Sequence, residues 1–157
     1  MAGEYIFVDE WDVEAPQQAV FDALADTRTY PIWWTPIYRA VDADGPPSIG
    51  CASRQKFKAR LPYTLSTVST IARLEPPREL EVHVVGDLRG TGVWTLTAVG
   101  DKVHVRFDWR VHADRALLRV LTPILRPVFR SNHNVAIKRA TAGLEPYARR
   151  SALKLAA

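Results

Sequence analysis

Val103-His104-Val105-Arg106-Phe107-Asp108-Trp109-Arg110-Val111-His112 alternates without a fault. Apolar residues take the odd positions and polar ones the even, the period of a strand with one face buried. Beyond Asp114 the period changes. Leu117, Leu121, Leu125, Val128, Asn132, Ala136, Arg139, Gly143 and Tyr147 recur at helical spacing, and they form the expected inward stripe of one long amphipathic helix over about 115–150. Asp114 is its expected cap. Pro123 and Pro127 each delete a backbone hydrogen bond, so a short helix is expected first, then a longer one beginning near 123–127.

The two-residue period extends upstream. Residues 5–13 place Tyr5, Phe7, Trp11 and Val13 on one side, and Asp9 falls on that apolar side, where it must lie near an edge or be paired. Ala15-Pro16 suits a helix start, and Val20, Phe21 and Leu24 give that helix its stripe. Asp26 or Thr27 is suited to cap a second short helix ending at Trp33-Trp34 before Pro36. Residues 36–43 read as a strand and Gly45-Pro46-Pro47 as a turn. Over 49–60, Arg54, Lys56, Lys58 and Arg60 should meet water, whereas Ile49, Cys51, Ser53, Gln55 and Phe57 should point inward. After a turn near Leu61-Pro62, Tyr63, Leu65, Thr67, Ser69 and Ile71 continue the inward face. Leu74 falls out of phase, as at a bulge or a strand end. Pro76-Pro77, Gly86-Asp87 and Gly100-Asp101 separate the remaining strands, which carry Leu80, Val82, Val84, Trp94 and Leu96.

At 157 residues the chain is expected to form one domain, 1–157, with a sizeable core. Apolar residues make up 47% and charged residues 24%, a globular balance. No apolar run approaches the roughly 18 residues that span a bilayer, so stable membrane insertion is not expected. The start, Met1-Ala2-Gly3-Glu4, does not read as a signal peptide, and the lone Cys51 excludes an intramolecular disulfide; both favour a cytoplasmic location. A net charge of +4 without zinc spacing or interleaved aromatics argues against nucleic acid as a partner.

The order strand, two short helices, six strands, long helix resembles the START-like superfamily, also called SRPBCC or helix-grip. Its members include polyketide cyclases and dehydrases, lipid-transfer START domains and the birch-pollen allergen family. Trp11-Asp12-Val13-Glu14-Ala15-Pro16, Trp33-Trp34, Leu61-Pro62-Tyr63 and Glu75-Pro76-Pro77-Arg78 look like its small bacterial polyketide-cyclase-like members. So do Gly86-Asp87-Leu88-Arg89-Gly90-Thr91-Gly92-Val93-Trp94 and Asn132-His133. The resemblance covers nearly the whole chain and implies an α+β fold. A curved seven-stranded antiparallel sheet would wrap around a long C-terminal helix, with two short helices after the first strand and a ligand cavity in the grip. It implies no reaction, because the superfamily hosts enzymes, carriers and sensors alike.

Ser53, Gln55, Thr67 and Ser69 interrupt the inward faces. An unpaired buried polar group costs on the order of 1–3 kcal/mol, so several on one side suggest a wet or ligand-filled chamber; bonding within the wall is the alternative. Phe57 shares that face. On the helix stripe Asn132 could bond a ligand oxygen or a neighbouring strand, beside Val128 and Ala136. Arg139 could steady an enolate or simply reach to the rim. Trp34, Trp94 and Trp109 offer aromatic walls or plain core. His83, His104 and His112 alternate outward. His133 reads as a surface histidine, with a general base at the cavity edge as the alternative. No pair has zinc-ligand spacing, and no phosphate loop or nucleophile elbow occurs, so neither metal nor cofactor is expected. Arg115, Arg119, Arg126 and Arg130 form a basic stripe, read as a solvated helix face.

The expected ligand-binding residues are therefore Trp34, Ser53, Gln55, Phe57, Thr67, Ser69, Trp94, Trp109, Val128, Asn132, Ala136 and Arg139. The expected function is binding or transport of a hydrophobic small molecule, lipid, isoprenoid or polyketide-like. A polyketide cyclase or dehydrase that orients a poly-β-keto chain and stabilises an enolate is the alternative. A surface-acting protein with a collapsed cavity is the third reading, and homodimerisation stays open.

Overall fold

The computed structural model describes residues 4–59, 63–113 and 122–156. Seven antiparallel strands form one sheet: β1 (Glu4–Val13), β2 (Tyr38–Ala43), β3 (Ala52–Phe57), β4 (Leu65–Glu75), β5 (Glu79–Gly86), β6 (Leu88–Val99) and β7 (Lys102–Ala113). Their order is β1-β7-β6-β5-β4-β3-β2, so the first strand closes against the last, and β1 and β2 are the two edges. Between β1 and β2 come α1 (Gln17–Ala25), a 3₁₀ turn at Thr27–Thr29 and α2 (Tyr30–Trp33). A 35-residue helix, α3 (Thr122–Ala156), follows the sheet. This is the expected helix-grip arrangement.

Alternation decides which face each strand buries. On β7, Val103, Val105, Phe107 and Val111 are buried while Arg106 and Arg110 meet water. On β4, Leu65, Thr67, Ser69 and Ile71 are buried, and the register slips between Ile71 and Arg73. That bulge moves Leu74 out of phase, as its spacing implied. Ile49 departs from expectation. It lies in the turn before β3, where no ladder orients it inward, and it is exposed.

At the other end of the grip, α1 buries Ala19, Val20, Phe21, Ala23, Leu24 and Ala25. Pro16 sits just before the helix rather than inside it, and its carbonyl accepts from the Val20 N–H. The Gln17 amide donates to the Pro77 and Leu96 carbonyls, tying the helix start to the turn between β4 and β5. Asp26 caps the 3₁₀ turn by accepting from the Arg28 N–H. Tyr30 donates its hydroxyl to the Leu24 carbonyl at 2.6 Å. Burial raises the Tyr30 phenol well above its ordinary value, so it stays a donor.

The long helix begins at Thr122, one residue ahead of the 123–127 interval expected for it, and runs unbroken through Pro127 and Pro146. Asp114, Arg115, Leu117, Arg119 and Leu121, with the shorter helix expected there, lie outside the described residues, as do Arg60 and the Leu61-Pro62 turn. The inward stripe of α3 differs from the expected one. Phe129, Asn132, Ala140, Leu144 and Ala148 are buried, whereas Val128 is 38% exposed and Arg139 faces solvent. The stripe is rotated by about one residue, or 100°. Ala140 and Ala148 are small enough to let α3 sit close to α1 and α2, and Leu144, between them on the same face, is fully buried. Gly143 faces the same contact. A Cβ there would overlap the backbone carbonyl oxygen of Trp33.

The outer face of the sheet is ionic. His104 on β7 reaches across to β1, with Nε2 3.0 Å from Glu10 Oε1 and Nδ1 2.8 Å from Asp12 Oδ1. Hydrogen bonds to Glu10 and then Asp12 raise the imidazole pKa above the ordinary 6.5. Its contribution to stability is therefore fully present below about pH 6.5 and is lost as pH rises through the folded-state value. Thermal melts between about pH 6 and 8 should show a modest decline in the wild type that His104→Gln removes. Parallel profiles for the two proteins would refute this clamp.

Candidate functional site

Between the sheet and α3 lies a cavity of about 90 Å³. One water needs about 10–15 Å³ of such space, so it can hold several waters or part of a small organic molecule. The cavity has two chemically different sides.

The aromatic side comes from β6, β7 and α2. Trp94 stacks on Phe107, ring centroids 3.9 Å apart and 16° from parallel. Phe107 in turn stacks on Trp109 at 5.5 Å, and Trp34 meets Trp94 edge-on at 6.3 Å. The stack leans over Gly92, where a Cβ would press to 3.0 Å from the Trp109 ring and 3.1 Å from the Phe107 ring. Trp34 is fixed from the far side: its indole N–H donates to the Ala136 carbonyl of α3 at 2.7 Å. Tyr30, Tyr38 and Phe57 extend this surface around the α2 end. Burial holds the Tyr38 phenol above its ordinary value, so it stays protonated.

The polar side comes from β3 and β4. Ser53 Oγ accepts from Thr27 Oγ1 at 2.8 Å and from Gln55 Nε2 at 3.2 Å. Its neighbours across the ladder are less provided for. Ser69 pairs with Ser53 and Thr67 with Gln55 in the β3–β4 register. Thr67 is 4% exposed and Ser69 7%, both border the cavity, and among the described residues neither hydroxyl makes a hydrogen bond. Both hydroxyls are open to the cavity, where a water or a ligand oxygen can partner them.

The roof belongs to α3, which contributes His133, Ala136 and Ile137. The His133 ring lies flat on Phe7 of β1, centroids 3.9 Å apart and 10° from parallel. Its Nε2 is 2.6 Å from Asp9 Oδ2, and the His133 side chain is only 10% exposed. The sequence pointed to a surface histidine here, and the structure corrects that reading. Asp9, on the apolar side of β1, is paired.

Of the residues singled out from sequence, Trp34, Ser53, Gln55, Phe57, Thr67, Ser69, Trp94, Trp109 and Ala136 border the cavity. Asn132 is buried on the inward face of α3 but does not border it. Val128 and Arg139 face away, because the stripe is rotated. Sequence reading missed Phe107, Tyr38 and Ile137 as wall residues. Phe107 could have been found, since it shares the inward phase of Trp109. Ile137 could not, because it follows from the rotation. On the basic stripe, Arg126 donates to the Glu4 carbonyl at 3.1 Å and lies over the Tyr5 ring, while Arg130 is exposed.

A curved antiparallel sheet closed on a C-terminal helix, with a chamber greasy on one side and hydroxylated on the other, defines the helix-grip fold. The profile of the family described as "Polyketide cyclase / dehydrase and lipid transport" matches residues 6–149, and the chain belongs to that family. No protein of curated function is close enough in sequence to match. Among solved structures, the protein TTHA0849 from Thermus thermophilus superposes with a TM-score of 0.79 at 14% identity, covering 94% of this chain and 99% of that one. The Zhui aromatase/cyclase from Streptomyces sp. R1128 gives 0.76 at 14% identity, covering 94% of each chain. A START superfamily protein from Mycobacterium smegmatis gives 0.70 at 14% identity, covering 92% of this chain and 97% of that one. At such identities the likeness is one of fold. Among the described residues, no helix is long and apolar enough to cross a membrane.

Proposed function

We propose that the chain binds a hydrophobic small molecule, lipid, isoprenoid or polyketide-like, in the cavity between sheet and α3. The observation that carries this reading is the pair of cavity-facing hydroxyls on the buried residues Thr67 and Ser69, which make no hydrogen bond among the described residues and share the cavity with the Trp94–Phe107–Trp109 stack. A dry core would bury apolar groups there, since a hydroxyl sealed off without a partner would cost about 1–3 kcal/mol. A flat or chain-like ligand with oxygens along one edge satisfies both sides at once. Its apolar face lies on the rings, where aromatic contacts add about 0.5–1.5 kcal/mol beyond burial. Its oxygens meet Ser53, Gln55, Thr67 and Ser69. Native mass spectrometry of the purified protein, followed by solvent extraction, should yield an apolar compound bearing a few oxygens. A protein that is empty and that also fails to brighten N-phenyl-1-naphthylamine, an uncharged aromatic fluorophore, would sink this function.

A cyclase or dehydrase is the second reading, favoured by His133 at the roof, which is paired with Asp9 of β1. A carrier returns its ligand unchanged and needs no base. An imidazole held by a carboxylate, bordering the ligand space, is the part that chemistry at a ketone would require.

A further inference from the structure

We propose that Cys51 is a covalent attachment site: its thiol adds to the β-carbon of an apolar α,β-unsaturated ketone lodged in the cavity. This rests on the cavity being a ligand site and adds a bond that neither binding nor transport needs.

Cys51 is half-buried and forms no disulfide. The ladder turns its side chain inward. The Ile71 N–H donates to the Cys51 carbonyl at 3.1 Å, and the β3–β4 register, with Ala52 opposite Thr70, sets Cys51 opposite Ile71. Directly opposed residues of an antiparallel pair point to one face, and Ile71 is buried at the cavity wall. Cys51 accordingly packs against the core and borders the cavity. It stands where the cavity meets solvent. Asp26, Thr27, Gly45 and Pro47 border the same end and are half-buried, and Cys51 Sγ lies 3.6 Å from the Gly45 carbonyl oxygen.

The facing strand sets a carbonyl partner beside the sulfur. Ser69, 7% exposed and without a hydrogen bond among the described residues, is the diagonal neighbour of Cys51 on the inward face. Diagonal neighbours lie about 7–8 Å apart. An enone fills that gap with its carbonyl oxygen on the Ser69 hydroxyl and its β-carbon against the sulfur. Thr67, next along the same face and 4% exposed, is free to meet a second oxygen. A hydroxyl donating to the carbonyl stabilises the negative charge that grows on oxygen as the sulfur attacks. The apolar body of the ligand lies on the Trp94–Phe107–Trp109 stack.

The step balances without a co-reactant. The thiol gives its proton to water, and the thiolate, the nucleophilic form, bonds to the β-carbon through a sulfur lone pair. The π pair of the carbon–carbon double bond becomes the double bond of an enolate, and the carbonyl π pair moves onto oxygen. Water then returns the proton to the α-carbon and the carbonyl is restored. A sulfur–hydrogen bond and a carbon–carbon π bond are lost, a sulfur–carbon and a carbon–hydrogen bond are gained, and nothing leaves.

The test uses 4-phenyl-3-buten-2-one, a flat apolar enone, with the adduct at Cys51 followed by mass spectrometry of the intact protein and its peptides. Wild type should form the adduct at least about a hundredfold faster than glutathione at equal thiol concentration and pH. The rate should saturate with enone concentration, and N-phenyl-1-naphthylamine should suppress it. Cys51→Ser should form no adduct. Ala136→Phe keeps the thiol but fills the cavity, so its rate should drop to within about threefold of glutathione. Iodoacetamide, which needs no cavity, should still alkylate that variant as it does wild type. Ser69→Ala should slow the adduct by about tenfold and leave alkylation by iodoacetamide as it was. Labelling no faster than glutathione, or as fast in Ala136→Phe as in wild type, overturns the attachment site. Where N-phenyl-1-naphthylamine still brightens in such a protein, the cavity reading stands; where it does not, both fall.

Discussion

Gly143→Ala should destabilise the protein by at least about 2 kcal/mol, and Gly143→Val should prevent α3 from docking at all. Two effects oppose each other in the alanine variant. Within a helix, alanine is favoured over glycine by about 1 kcal/mol. Against this, the new Cβ would overlap the Trp33 carbonyl oxygen and crowd the carbonyl carbon, both of them backbone atoms. Backbone cannot swing aside as a side chain would, so α2 or α3 must move. Movement pulls on the Trp34–Ala136 hydrogen bond and on the packing of Ala140 and Leu144. Overpacking typically costs about 1–3 kcal/mol and occasionally more; because the overlap is with backbone atoms, the cost here lies at or above the top of that range, so the clash wins by about 2 kcal/mol. Valine adds two methyls and lowers helix propensity as well. Urea denaturation of the alanine variant measures the difference directly. If Gly143→Ala proves as stable as wild type, α3 does not lie against Trp33.

Ala136→Phe should abolish ligand binding while leaving the fold intact. Ala136 borders the cavity from the roof, so a benzyl group there enters the space that the ligand needs. The Trp34 indole bonds the backbone carbonyl of residue 136, not its side chain, so that anchor survives the substitution. A ring filling free space also regains contacts with the Trp94–Phe107–Trp109 stack, and the melting temperature should hold or rise. Affinity for N-phenyl-1-naphthylamine should fall by more than about a hundredfold, or roughly 3 kcal/mol. Ser69→Leu encroaches from the opposite wall and should act in the same direction. A variant that keeps its fold and binds the fluorophore as wild type does would place binding elsewhere.

The strands were legible because alternation is a strong signal when one face is buried: β7 and β4 lie where their patterns put them, and the bulge near Leu74 shows in its broken phase. The polar interruptions were legible for the same reason, since Ser53, Gln55, Thr67 and Ser69 sit at inward positions of regular strands. The helix was harder. Its deepest residues include two alanines, Ala140 and Ala148, which are weakly apolar, so a stripe drawn through Val128 and Arg139 looked as good as the true one. The roof of the cavity shifted accordingly. The Asp9–His133 pair shows a different limit. Asp9 was visibly misplaced on an apolar face and His133 visibly adjacent to the stripe, but no periodicity joins residues 124 positions apart. Only the closure of β1 beneath α3 brings them together.

The strand order also bears on how the protein is made. Val13 pairs with Val103 and Glu4 with His112, so the first strand synthesised has no hydrogen-bonding partner until the last has left the ribosome. Until then β1 carries a row of unmet amides beside Tyr5, Phe7 and Trp11, the kind of edge that invites pairing with a neighbouring chain. Contacts of such long sequence separation also close slowly. Nascent chains stalled before residue 102 should therefore be more prone to aggregate than the finished protein, and a chaperone that shields the first strand should raise the yield.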